Sequence, residues 1–137
     1  MIYKAGLKPK RATKGSCGYD LCLPRDVRLS RWKWTYVDLE VAMEKGDIKE
    51  GCFGWIVPRS STGSKFGLRL RNTGGVIDHD YINRSIKAVI KTDHWIPKIF
   101  RKGDRILQLI IVPYDTIPGE DIPTEERKGG IGSTGTN

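Results

Sequence analysis

RKGDRILQLIIVPYD, residues 101 to 115, decides the fold. Lys102-Gly103-Asp104 is turn chemistry, and the strand read behind it, Arg105 to Val112, is apolar from Ile106 onward except for Gln108. Such a run has the length and β-branched content of a buried strand. It falls far short of the roughly 20 apolar residues that cross a bilayer as a helix. Outward from it the same pattern recurs, with short β-branched and aromatic runs at Tyr19 to Leu23, Trp34 to Ala42, Gly54 to Val57, Leu68 to Leu70 and Ile86 to Lys91. Gly, Pro, Asp and Ser separate them, as in Glu44-Lys45-Gly46-Asp47, and helical periodicity is hard to find. The sequence therefore predicts an all-β sandwich, jelly roll or barrel. One stretch differs: Arg59-Ser60-Ser61-Thr62-Gly63-Ser64-Lys65 predicts a short helix with a Ser or Thr capping its first turn.

A chain of 137 residues holds one core. Residues 1–117 are read as that domain, and 118–137, with little to bury, as a flexible arm. The basic start lacks the apolar centre of a secretory signal, and Cys17, Cys22 and Cys52 form neither a CxxC pair nor an even set. These features predict a protein without a membrane segment, its thiols reduced, in the cytoplasm or nucleus. A formal charge of +8 favours an anionic partner. The cluster Lys8, Lys10, Arg11 and Lys14 does not favour nucleic acid, because no aromatic residues are interleaved with it as a single-strand groove requires.

Candidate chemistry sits in three places. PRSSTGSK at 58–65 gathers a guanidinium, hydroxyls, a glycine and a lysine, the groups that phosphate oxygens want, although a polar turn would look the same. In GGVIDHDY at 74–81, burial of Val76 and Ile77 is expected to pin the backbone, leaving the Asp78 carboxylate toward a pocket or solvent. There it is an ionised acceptor able to orient water but a weak base, and taken alone a turn acid is the simpler reading. Gly130-Ile131-Gly132-Ser133-Thr134-Gly135 satisfies GxGxxG, but with no strand before it and no helix after it the dinucleotide reading fails. What is left is a loose end or a glycine-rich flap over an anion. His79 and His94 make no zinc pattern, and no spacing supports a covalent nucleophile.

Order carries more than any one segment. SCGYDL at 16–21, PRSSTGSK at 58–65, GGVIDHDY at 74–81, KGDRILQLI at 102–110 and RKGGIGSTG at 127–135 resemble, in sequence, the five motifs of the trimeric dUTPase family. The resemblance implies a distorted jelly-roll subunit in a homotrimer whose sites draw on all three chains. It also implies Mg²⁺-dependent hydrolysis of dUTP to dUMP and pyrophosphate, which keeps uracil out of DNA and supplies dUMP for thymidylate synthesis. Carried over residue by residue, it makes Asp78 the base that activates water and gives Gln108 a role in positioning that water. Arg59, Ser60 and Ser61 would hold phosphates, with Gly63 and Lys65 supporting their loop. Asp20 would meet Mg²⁺ through water. Asn72 and the backbone of Gly75, Val76 and Ile77 would read uracil, and Tyr81 would pack on the deoxyribose. From the arm, Arg127 would reach the outer phosphates while Ile131, Gly132 and Ser133 close over the nucleotide. The chain departs from the pattern in having Ile131 where a ring is usual, a shorter spacing after Arg127, and a longer turn after Tyr81. An alternative is a dUTPase-like module with weakened catalysis that serves interaction or signalling.

Overall fold

Alternation builds the first sheet. In Ser85–Lys91 (β9) Ile86, Ala88 and Ile90 point inward, and in Thr35–Ala42 (β5) Val37, Leu39 and Val41 do the same. The computed structural model of the chain, which describes residues 1–127, pairs these two strands antiparallel, with Thr35 opposite Ile90. Ile2–Tyr3 (β1) adds to the outer edge of β5 and Arg69–Leu70 (β7) to that of β9. The register slips between Asp38 and Ala42, where Glu40 takes a φ of +53° and its N–H donates to Asp38 Oδ1 at 2.8 Å.

The second sheet runs Lys10–Arg11 (β2), Gly18–Cys22 (β3), Arg105–Pro113 (β11), Cys52–Pro58 (β6) and Gly75–Ile77 (β8), all antiparallel. The stretch 106–112 is thus the central strand, paired on both sides. Its Ile106, Leu107 and Leu109 lie within about 1% of full burial, facing Leu21, Ile56, Val37 and Ile86 in a core shared by both sheets. Val27–Leu29 (β4) and Lys98–Phe100 (β10) form a third, two-stranded ladder. The result is the predicted all-β jelly-roll class.

Ser60–Phe66 is the single described helix (α1). Its position agrees with the prediction, but its cap does not: Arg59 is the cap residue and no side chain caps the first turn. Thr62 Oγ1, buried, donates instead to Arg59 and Ile106 carbonyls. That ties the helix to β11 rather than closing its own end. The expected burial of Val76 is also corrected. Ile77 is buried but Val76 is 60% exposed, because neighbours along a strand face opposite sides. No described helix is long and apolar enough to cross a membrane.

Candidate active site

Two groups of the predicted residues stand at different places on the five-stranded sheet. At the first, β6 ends in Pro58, Arg59 remains extended, and α1 begins at Ser60. Arg59 Nε donates to Asp20 Oδ1 at 2.7 Å, and Arg105 Nη1 donates to Asp20 Oδ2 at 3.1 Å. Asp20 is 7% exposed, so its charge is tolerated because both oxygens are paired. Two guanidiniums on one carboxylate leave a net positive, pre-ordered corner, with Ser61 Oγ 3.5 Å from Arg59 Nη1. Gln108 lies opposite Asp20 in the ladder, and its Nε2 donates to the Pro58 carbonyl at 3.2 Å. A Cβ at Gly18 would overlap the Gln108 amide, so the glycine of SCGYDL is the space this side chain occupies. The nearby Cys22 thiol is pushed up by burial and by the Asp20 charge, which opposes thiolate chemistry here.

The second group forms a cavity of about 510 Å³ between β8, the turn before it, and β9. Asn72, Gly75, Val76, Ile77, Asp78, Tyr81 and Arg127 all line it. Among the described residues β8 is the last strand of its sheet, bonded to β6 along one side. The backbone N–H and C=O groups of its other side are therefore turned toward a partner outside the sheet. Tyr81 is 8% exposed and donates its hydroxyl to the Ser85 carbonyl at 3.0 Å, which holds the ring as a fixed wall. The Asp78 carboxylate stands half-exposed at the mouth. Arg127, expected at phosphates, pairs with Asp78 and, through Nε at 2.8 Å, with Asp80 of its own chain. Hydrogen bonding to Asp80 raises the Arg127 pKa further above the ordinary arginine range. Its guanidinium also lies 5.8 Å from the Tyr81 ring centre.

One chain does not unite the two groups. Ile77 sits opposite Gly54, and Arg59 follows five residues farther along β6, a separation of about 17 Å at 3.3–3.4 Å per residue. Asp78 is thereby far from Arg59 and Gln108 of the same chain. Between them runs an apolar outer face. Trp55 is opposite both Val76 and Ile110, Phe53 opposite Val112, and Val57 opposite Gln108, and residues directly opposed share a side. Trp55 is 43% exposed on this face.

Ser60, Ser61 and Gly63 lie on α1 beside the first group. Ile131, Gly132 and Ser133 lie outside the described residues. Sequence reading missed Arg105 as the second partner of Asp20 and Asp80 as a partner of Arg127. For Arg105 a signal existed, as a cation entering the strand that carries Gln108, but only the register reveals that Asp20 is its neighbour.

Comparison with known proteins bears on the family and the fold. The dUTPase family model matches residues 5–135. A deoxyuridine 5'-triphosphate nucleotidohydrolase of Cutibacterium acnes is 34% identical over 133 residues, covering 94% of this chain and 86% of that protein. The crystal structure of a dUTPase from Streptococcus mutans superposes with a TM-score of 0.75 at 31% identity, over 85% of this chain and 94% of that one. A Staphylococcus bacteriophage 80alpha dUTPase mutant with dUpNHpp gives 0.70 at 25% identity, over 99% and 96%. With five ordered motifs, a matching fold and relatives of this identity along nearly its whole length, the chain belongs to the dUTPase family.

Proposed function

We propose that the chain hydrolyses dUTP to dUMP and pyrophosphate in sites assembled between three copies of itself. The observation that carries this reading is that the residues expected to handle nucleotide fall into two groups on one sheet, with the Asp78 end of β8 about 17 Å along β6 from Arg59, beside a partly exposed apolar sheet face. A neighbour packed on that face would bring its Asp78 and pocket to this chain's Arg59, Asp20 and Gln108. The pocket would take deoxyuridine. The free edge of β8 offers fixed donors and acceptors to the uracil edge, and groups left unpaired by cytosine penalise the wrong base. Tyr81 leaves no room for a ribose 2′-hydroxyl.

In the reaction the Asp78 carboxylate accepts a proton from water as the water oxygen attacks the α-phosphorus. The bond from that phosphorus to the oxygen bridging to the β-phosphate breaks, and pyrophosphate leaves. Arg59, anchored by Asp20, holds phosphate oxygens, and Gln108, fixed on Pro58 and packed over Gly18, orients the water. The triphosphate offers Arg127 more negative charge than Asp78 and Asp80 do. Its transfer to the outer phosphates frees the base.

The donor set also fits Mg²⁺. Mg²⁺ keeps most of its waters and binds through one or two carboxylates plus substrate phosphates. Asp20, whose oxygens retain acceptor capacity beyond two guanidinium contacts, would hold it through water. When bound, the ion withdraws charge from the triphosphate and makes phosphorus electrophilic enough for a weak base. The dUMP formed would feed thymidylate synthesis, and dUTP removal would keep uracil out of DNA.

The test is pyrophosphate release from dUTP, with dCTP, dTTP and UTP as controls. Rapid, Mg²⁺-dependent release from dUTP alone is expected. No release, or equal release from all four, ends this reading.

A further inference from the structure

One end of the β5–β9 ladder carries a surface that the nucleotide site does not use. Arg31 to Trp34 lead into β5 and Thr92 to Pro97 leave β9, and the register with Thr35 opposite Ile90 brings the two segments together. Trp32 and Trp95 are 74% and 72% exposed, their ring centres 5.7 Å apart. Indole is normally well buried, and two adjacent open rings mark a contact surface. The Arg31 guanidinium lies 4.0 Å from the Trp95 ring centre and 5.6 Å from that of Trp32. It is itself anchored, donating to the Asp93 carbonyl at 2.7 Å. The aromatic pair is thus steadied by a fixed cation while most of its area stays in water. Farther along, Lys91 Nζ is 4.7 Å from the Trp34 ring centre, and Lys33, exposed, stands between Trp32 and Trp34 in the chain. Asp93, the acid among these segments, is already paired with Arg69 at 3.5 Å.

We propose that this surface binds single-stranded DNA, with bases stacking on Trp32 and Trp95 and phosphates meeting Arg31, Lys33 and Lys91. Flat apolar faces interleaved with cations are what a single strand recognises, because its bases expose their π-faces and its backbone is a polyanion. A duplex hides those faces. The excess of positive charge selects a polyanion over an apolar protein partner. Among the described residues, polar groups beside the rings are already engaged: Thr92 donates its hydroxyl to the Phe66 carbonyl, the Asp93 carbonyl accepts from Arg31, and the Ser30 hydroxyl accepts from the Trp32 backbone N–H.

The experiment uses the full chain and a fluorescein-labelled oligo-dT about 15 nucleotides long, read by anisotropy and by quenching of tryptophan emission across a salt series. Binding that quenches emission and weakens with salt is expected. Trp32→Ala with Trp95→Ala should weaken it about tenfold or more. Lys33→Glu, a surface charge reversal that leaves packing alone, should weaken it and flatten the salt dependence. Melting temperature and dUTP turnover should be unchanged in both, so failure here is distinguishable from failure of the dUTP reading. The proposal is overturned by absent binding, by equal affinity for a duplex or for the matching RNA, or by undiminished binding in both variants. It is also overturned if the rings mediate self-association that the double variant abolishes.

Discussion

At the scale of single residues, the proposed mechanism divides the site into groups that would touch substrate and groups that would hold them still. Asp78→Asn keeps shape but removes the base, so turnover should fall at least ~100-fold with little change in dUTP affinity, measured by pyrophosphate release and by equilibrium binding. Gly18→Ala is a subtler test. The new methyl would displace the Gln108 amide and also press on Gln108 Cβ at 3.3 Å, so turnover should drop far more than the melting temperature. Unchanged turnover would remove Gln108 from the machinery. Arg127→Ala should raise the KM for dUTP about tenfold or more, the scale of a lost charge-assisted hydrogen bond. Asp78, Tyr81 and Arg59 were picked out by the order of five motifs rather than by their own stretches, each of which alone left a simpler reading open. The Gly18–Gln108 and Asp20–Arg105 relations were not, since each depends on which strands become neighbours.

At the scale of elements, the six strands read from the sequence all exist, shifted by no more than a few residues at their ends. Those missed, β1, β2, β4, β8 and β10, have two or three residues each, too few for alternation to register. The helix was legible in its hydroxyl-rich start but not in its cap, because the cap position falls on Arg59, whose side chain offers no acceptor, while the Thr62 hydroxyl donates to β11. The kink in β5 makes its own prediction. Burial pushes the Asp38 carboxyl up, but the Ser85 hydroxyl and the Glu40 N–H bind its ionised form and bring it net below the usual carboxylate range. A folded value below the unfolded one stabilises the protein above the unfolded pKa of about 3.9, and that contribution is lost as pH falls through the lowered value. Thermal melting between pH 6 and pH 3, on the order of that range, should therefore show a smaller acid loss for Asp38→Asn than for the wild type.

For the whole molecule, the proposed shared site depends on the apolar outer face. Trp55→Asp plants a charge where a second copy would pack, so light scattering should find single subunits that remain folded yet do not turn over dUTP. Full activity in such subunits would refute the shared site. The sequence pointed to an assembly only through family resemblance, because Trp55 and Val76, exposed in the single chain, read locally like any buried strand. The distance between the two halves of the site has a genetic consequence as well. Asp78→Asn and Arg59→Ala alleles, each inert alone, should complement when co-expressed, since a mixed assembly rebuilds a site from one chain's carboxylate and another's guanidinium. By the same logic a defective allele should be dominant, sapping the activity of an intact one in the same cell.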